Sequence, residues 1–157
     1  MPLITNTRPS CSFTWLWPRR LLAINGSVVH TLVDGSKISA VSCAVFSAAK
    51  AIDADTQSYW ATDDGVTTAT LELGFGKEVE FNRFLAQEPI ALGQRVKKFS
   101  LHIWHNGAYE PIAQQTTIGY KRLLRFPTVK TSKLKFTIDA AKACPAINQL
   151  AVYYVSQ

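Results

Sequence analysis

The chain has 157 residues, of which 47% are hydrophobic and 18% are charged. This is the composition of one globular domain, and it excludes a disordered chain. The net charge is +6, but the basic residues are scattered along the sequence, so nucleic-acid binding is not predicted. No segment reaches the ~18 apolar residues that a membrane helix needs, and the N-terminus lacks the basic, apolar and small-residue order of a signal peptide.

Residues 1–36 are predicted to form an irregular N-terminal segment and linker, because Pro2, Pro9 and Pro18 interrupt any regular pattern there. Within this segment, the stretch from Leu21 to Val33 fits either a short helix or a strand. Residues 37–157 are predicted to form a single domain. Its first strand is expected near residues 39–43, where small and β-branched residues predominate.

From residue 68 onward, apolar and polar residues alternate, which is the pattern of half-buried β-strands. Asn106-Gly107 readily takes positive φ at both central turn positions and predicts a tight hairpin, whereas Pro127 is expected to end a strand. Many short strands separated by turns predict an all-β sandwich or barrel. The predicted strands cover residues 69–73, 79–85, 99–103, 109–113, 123–126, 134–138 and 150–154.

The stretch "IDADTQSYWATDDG", residues 52–65, concentrates four aspartates around a Tyr-Trp pair. Two carboxyl groups at this spacing are close enough for glycoside hydrolysis. However, the neighbouring Thr62, Gly65 and Thr67 are typical of a solvated turn, where nothing would raise the pKa of one carboxyl group. Because nucleophile and phosphate-loop motifs are also absent, no catalytic residue is predicted.

A metal site is a second interpretation of the same stretch. Asp53, Asp55 and Ser58 offer hard oxygen ligands in a tight loop, and loop carbonyls could complete a calcium shell. The alternative is that the aspartates only cap turns by accepting hydrogen bonds from nearby backbone amides. Both interpretations remain open at this stage.

Two further segments carry the residue types of a sugar site, which are planar amide, carboxylate and cationic groups beside an aromatic face. Glu88, Gln94 and Arg95 surround a Pro/Gly loop, and Tyr120 and Lys121 follow Gly119. We therefore predict these five residues as carbohydrate contacts. The alternative is that Glu88 and Arg95 form a structural ion pair and that Tyr120 belongs to the core.

The stretch "AIDADTQSYWAT" resembles the signature of discoidin, or coagulation-factor type C, domains. The segments "QEPIALGQRVKKF", "TTIGYKRLLRF" and "KACPAINQLAVYY" are similar to the C-terminal discoidin-like domain of α-L-fucosidases. The likeness spans residues 37–155 and implies an eight-stranded, galactose-binding-domain-like jelly-roll β-sandwich. It also implies that Trp60 fills the core.

In that family the nucleophilic aspartate lies in a separate (β/α)₈ barrel, which needs at least ~200 residues. The resemblance therefore implies a non-catalytic carbohydrate-binding or accessory domain, located extracellularly or in the periplasm. Its expected partners are fucose- or galactose-containing glycans, or a fucosidase barrel on another chain. A chain that assists such a barrel in hydrolysis and a purely structural packing domain are the alternatives.

Two positions depart from the family pattern. Asn148-Gln149-Leu150 occupies the place where related modules often carry a calcium-binding Glu, which weakens the calcium prediction. The loop from Cys43 to Ala48 is shorter than in relatives, which is expected to weaken sugar binding.

Overall fold

The computed structural model describes residues 29–31, 37–40, 46–53 and 55–156, and these residues contain no α-helix. The all-β prediction is therefore confirmed. Two 3-10 helices cover Ala48–Ala51 and Ile90–Leu92. The described strands are β1 (Val29–Thr31), β2 (Lys37–Ala40), β3 (Trp60–Ala61), β4 (Ala69–Gln87), β5 (Val96–His105), β6 (Ala108–Gln115), β7 (Arg122–Ala141), β8 (Ala146–Ile147) and β9 (Gln149–Val155).

Seven of these strands form one antiparallel sheet in the order β1-β9-β4-β7-β5-β6, with β2 pairing to β4. The long strands β4 and β7 pair with each other along most of their length, and this pairing changes register between Gly74 and Val79. Residues 69–74 of β4 pair with β2 and with the half of β7 that pairs with β5. Residues 83–87 of β4 pair with β9. Each long strand thus contributes one half to each layer of a sandwich.

The two layers enclose the hydrophobic core. Phe84 lies in the half of β4 that pairs with β9, and Phe136 lies in the half of β7 that pairs with β5, yet their ring centroids are 5.7 Å apart. Both side chains are fully buried, and each contributes roughly 1.5–3 kcal/mol of hydrophobic stabilisation. The alternation predicted from the sequence places Leu71, Leu73 and Leu101 on this inner face, which confirms the jelly-roll β-sandwich.

The hairpin between β5 and β6 is the predicted one. Asn106 and Gly107 have φ values of 49° and 83°, the left-handed conformation that a type I′ turn requires at both positions. Beside the turn, the rings of Trp104 and Tyr109 pack edge to face with centroids 5.0 Å apart. This hairpin lies at the end of the sandwich opposite to the start of β5.

Pro127 does not end a strand, and in this respect the prediction was wrong. β7 runs through it, because the β4–β7 pairing is interrupted between Phe81↔Val129 and Arg83↔Arg125. A residue without a backbone N–H costs little at such an irregularity. Asn82 stabilises the same point, since its amide donates to the Val155 carbonyl (2.9 Å) and accepts from the Val155 N–H (3.0 Å).

The segment 1–36, predicted to be irregular, contributes β1, which pairs with β9 through Val29↔Val155. The strand alternative for residues 21–33 thus holds at residues 29–31, where pairing gives backbone groups at the edge of β9 their hydrogen-bond partners. The division of the chain at residue 36 stays a prediction. Cys43 lies outside the described residues, and Cys144 is a free thiol.

Candidate functional site

Four loops meet at the end of the sandwich where β4 ends and β5 begins. The Lys142 N–H donates to the Arg95 carbonyl over 2.8 Å, and the Thr62 N–H donates to the Pro145 carbonyl over 3.3 Å. These backbone bonds hold distant parts of the chain against one another. The loops comprise residues 62–68, 88–95, 116–121 and 142–145.

The buried side chain of Glu88 holds two of these loops in place. Its side chain is only 2% exposed, although a carboxylate is rarely buried unless its oxygens have partners. Oε1 accepts the backbone N–H groups of Arg95 (2.8 Å) and Val96 (2.9 Å), and Oε2 accepts the N–H of Gly119 (3.0 Å). The carboxylate therefore fixes the position of the segments that carry Gln94 and Tyr120.

The alternative interpretation, an ion pair between the side chains of Glu88 and Arg95, is wrong. Glu88 binds the main chain of Arg95, while the guanidinium points to the neighbouring loop. There its Nη1 donates to the Cys144 carbonyl (2.9 Å) and lies 2.8 Å from the Cys144 Sγ. The thiol in turn lies 3.7 Å from Oδ1 of Asp64. Arg95 thus links three loops, which the guanidinium can do because it carries five donors in a rigid plane.

A small surface pocket of about 160 Å³ opens between the two loops that Glu88 anchors. Gln94 is exposed, and Tyr120 is 59% exposed, so the alternative that placed Tyr120 in the core is wrong. Ile90, 70% exposed, adds apolar surface. The pocket is lined by Glu88, Pro89, Ile90, Gly93, Gln94, Gly119 and Tyr120.

The five predicted sugar contacts divide into two groups. Glu88, Gln94 and Tyr120 line this pocket together. Arg95 and Lys121 are adjacent to them in the chain but do not line it; Lys121 is exposed and Arg95 is half-buried. An exposed aromatic ring beside an exposed amide offers apolar stacking together with hydrogen bonds to hydroxyl groups.

The aspartates of the 53–58 loop cap its turns. Oδ1 of Asp53 accepts the Asp55 N–H, and Oδ1 of Asp55 accepts the Gln57 N–H, both over 2.9 Å. These are the Asx-type bonds of the capping interpretation. At the end of the loop, Trp60 is fully buried in β3, in agreement with the role implied for it.

The same loop also offers an arrangement of oxygen atoms suited to a cation. The Ser58 hydroxyl lies 2.6 Å from Oδ2 of Asp53, 3.3 Å from the Asp55 carbonyl and 3.5 Å from the Lys50 carbonyl. One hydroxyl hydrogen cannot serve three acceptors. Asn148 donates to the Thr56 carbonyl, and its own Oδ1 is buried without a partner among the described residues.

These oxygens fit a hard cation such as calcium in type, although the described residues hold no group of three or more His, Cys, Asp or Glu side chains around one point. In the sequence, Asn148 indicated only that the Glu of related modules is missing. Its proximity to Thr56, 92 positions away in sequence, could not be foreseen.

Two tyrosines with shifted pKa values lie outside this pocket. Burial raises the pKa of the Tyr109 hydroxyl, and the charge and hydrogen bond of Glu72 raise it further. Burial alone raises the pKa of Tyr153. Neither residue lines the pocket of Gln94 and Tyr120.

A jelly-roll sandwich with loops clustered at one end is the architecture of the galactose-binding-like class of binding domains. The F5/8 type C domain family matches residues 37–149. The chain therefore belongs to this discoidin-like family, as the signature around Trp60 predicted.

Two relatives carry the name alpha-L-fucosidase 1. The chain is 42% identical over 96 residues to one from Oryza sativa subsp. japonica, covering 61% of this chain and 19% of that protein. It is 34% identical over 132 residues to the Arabidopsis thaliana protein, covering 82% of this chain and 26% of that protein. The chain thus spans about a quarter or less of the length of these relatives.

The fold also occurs in a solved carbohydrate-binding module. The family 32 module of Clostridium perfringens NanJ, solved in complex with galactose, superimposes with a TM-score of 0.71 at 18% identity. The superposition covers 80% of this chain and 98% of the module. At this identity the likeness shows the shared fold alone. None of the described helices is long and apolar enough to cross a membrane.

Proposed function

We propose that this chain is a carbohydrate-binding module and that its sugar binds in the pocket between Gln94 and Tyr120. The observation that carries the proposal is the 59% exposed Tyr120 beside Gln94 at the end of the sandwich where four loops meet. Glu88 holds the loops on both sides of this pocket, so the two side chains start from fixed backbone positions. Such preorganisation lowers the entropic cost of binding.

The chemistry of the pocket suits an uncharged sugar. The C–H face of a pyranose ring packs on the Tyr120 ring, and Gln94 both donates to and accepts from ring hydroxyls. Lys121, next to Tyr120, adds a donor at the rim. The partners we propose are fucose- or galactose-containing glycans, an assignment supported by the fucosidase relatives and by the galactose complex of the NanJ module.

Titration of the purified chain with L-fucose and D-galactose, followed by calorimetry, tests this function. We expect a dissociation constant of about 1 mM, as for one small ring on an open surface. Tyr120→Ala should weaken binding at least about tenfold, because the stacking surface is lost.

The matched control is Tyr109→Ala, which removes a tyrosine at the opposite end of the sandwich. This variant should retain the wild-type affinity. Equal affinity of the wild type and Tyr120→Ala, or no heat of binding with any neutral sugar, would refute the proposed pocket.

A second candidate function is that of an accessory domain for an α-L-fucosidase barrel, and the named relatives favour it. In that role the domain holds glycan near the active site, outside the cell or in the periplasm. The chain alone should show no hydrolysis of p-nitrophenyl α-L-fucoside. Turnover by the purified chain would contradict an accessory role.

We also propose that the 53–58 loop holds calcium when the ion is available. Asp53, Asp55 and Ser58 would bind it, with the Lys50 carbonyl and Oδ1 of Asn148 completing the oxygen set. The ion would supply the positive charge that these clustered acceptors lack.

A further inference from the structure

The first half of β7 has a free strand edge. Residues 122–125 pair with β4 on one side, whereas β5 pairs with β7 only from Leu134 onward. No described strand pairs with the other side of residues 122–129. Such an edge carries unpaired backbone N–H and C=O groups, which can hydrogen-bond to another extended chain. Because Pro127 lacks an N–H and interrupts the edge, its usable part is residues 122–126, the 122–126 edge.

This edge lies in the most basic part of the chain. Between Glu110 and Asp139 the sequence contains six lysine or arginine residues and no acidic residue. Two of the six, Lys130 and Lys135, pair with glutamates of β4. The arginines of the 122–126 edge form no ion pair with any described carboxylate. The edge is therefore positively charged, and a partner strand must tolerate or neutralise that charge.

Two guanidinium groups lie side by side next to this edge. Arg83 of β4 is directly opposite Arg125 of β7, and like charges in opposite positions destabilise a sheet. Partial burial, followed by the positive charge of Arg125, lowers the pKa of Arg83. Nη1 of Arg83 donates to the Asn82 carbonyl over 2.8 Å, while Arg125 is exposed. A carboxylate bound to Arg125 would relieve this repulsion and could accept two hydrogen bonds from the guanidinium group.

The same face of β7 also presents apolar surface. Leu123 lies two positions before Arg125 and is 51% exposed. Alternate residues of a strand share a face, so the two side chains point to the same side of the sheet. A strand that fits this edge therefore carries a carboxylate and an apolar side chain in alternation, at the two-residue period of extended backbone.

We propose that the 122–126 edge binds an extended acidic peptide segment of another protein, in which acidic and apolar residues alternate. The segment adds a strand to the sheet, so that backbone hydrogen bonds hold it while side chains select it. Its carboxylates bind Arg125, and its apolar side chains pack on Leu123. A second copy of this chain does not fit, because pairing of two such edges would bring their arginines together.

Fluorescence anisotropy with synthetic peptides tests the proposal on the intact chain. A labelled hexapeptide of three Glu-Val repeats should bind at least about tenfold more tightly than the neutral Gln-Val analogue, and added salt should weaken its binding. The Glu-Gly analogue keeps the charge but lacks apolar side chains and β-propensity, so it should bind more weakly. No binding of the Glu-Val peptide, or equal binding of any two of the three peptides, would overturn the proposal.

Reversal of one charge locates the peptide. Arg125→Glu should lose the Glu-Val peptide and bind a Lys-Val analogue instead. Its Tm should equal or exceed that of the wild type, because the repulsion from Arg83 is removed, and a lower Tm would contradict that repulsion. The matched control is Lys133→Glu, which changes the net charge equally at a position opposite Gly74, beyond the free edge. Loss of binding in both variants would show that net charge alone attracts the peptide and would overturn the proposal.

Backbone amide NMR and sedimentation velocity separate the remaining occupants. The Glu-Val peptide should shift the amide signals of Leu123 and Arg125, and shifts confined to other strands would contradict the assignment. The chain alone should sediment as a monomer. A dimer that the peptide dissociates would assign the edge to a second copy and would overturn the proposal.

Discussion

The buried carboxylate of Glu88 gives the most quantitative prediction for this domain. Glu88→Ala leaves three backbone N–H groups without their acceptor, one of them, that of Val96, in a buried bond and two in partly buried bonds. A buried donor without a partner costs about 1–3 kcal/mol, and donors that water can reach cost less. We expect a loss of about 3 kcal/mol in the free energy of unfolding, which for a domain of this size lowers Tm by about 10 °C.

Glu88→Gln tests the hydrogen bonds of the two Glu88 carboxylate oxygens separately. The amide oxygen can still accept from Arg95 and Val96, but the amide nitrogen then faces the Gly119 N–H, where donor opposes donor. The loss should be about half as large, and hydrogen exchange should accelerate at Gly119 while Val96 stays protected. Urea unfolding and amide exchange measure the two effects.

The matched control is Glu78→Gln, at a side chain that is 66% exposed and pairs with Lys130 over 3.6 Å. Exposed ion pairs contribute about 0–1 kcal/mol, so this variant should unfold close to the wild type. If Glu88→Ala were as stable as Glu78→Gln, the claim that Glu88 positions the two loops would be refuted.

Three further perturbations test other parts of the structure. Phe136→Ala should cost about 4 kcal/mol in urea unfolding, because the ring is fully buried against Phe84 and Phe99; a loss below ~1 kcal/mol would contradict the two-layer core. Calcium at ten times its dissociation constant should add about 1.4 kcal/mol of stability, and Asn148→Ala should abolish the gain; no gain in the wild type would argue against the oxygen cluster. The folded pKa of Tyr109 is raised, so its contribution to stability is complete below the unfolded value and declines as the pH rises through the folded pKa. Tyr109→Phe should therefore reduce the loss of Tm above about pH 10, and an unchanged alkaline profile would contradict the Glu72 contact.

The architecture could be predicted from the sequence because its signals are local. Alternation at Leu71 and Leu73 identified inward-facing positions, and Asn106-Gly107 specified a turn through its own backbone preferences. Pro127 misled the prediction for a physical reason. Its missing N–H matters only where a pairing partner is aligned, and the irregularity opposite Asn82 removes that requirement.

The candidate site was predictable in composition but not in arrangement. The sequence identified Glu88, Arg95 and Tyr120 as unusual, yet their roles depend on partners that are 31 positions away for Glu88–Gly119 and 49 for Arg95–Cys144. Only the folded structure shows that the Glu88 carboxylate accepts hydrogen bonds from backbone amides of the two loops that border the pocket. No periodicity encodes such long-range pairs.

The most direct test of carbohydrate binding at the loop end is the measurement of intermolecular NOEs between a bound neutral sugar and the aromatic protons of the domain. We predict NOEs from the ring C–H protons of galactose or fucose to the Tyr120 ring, lost in Tyr120→Ala and retained in Tyr109→Ala. NOEs that fall only on Trp104 and Tyr109, at the opposite end of the sandwich, would contradict the assignment. The absence of any NOE at saturating sugar would contradict it equally.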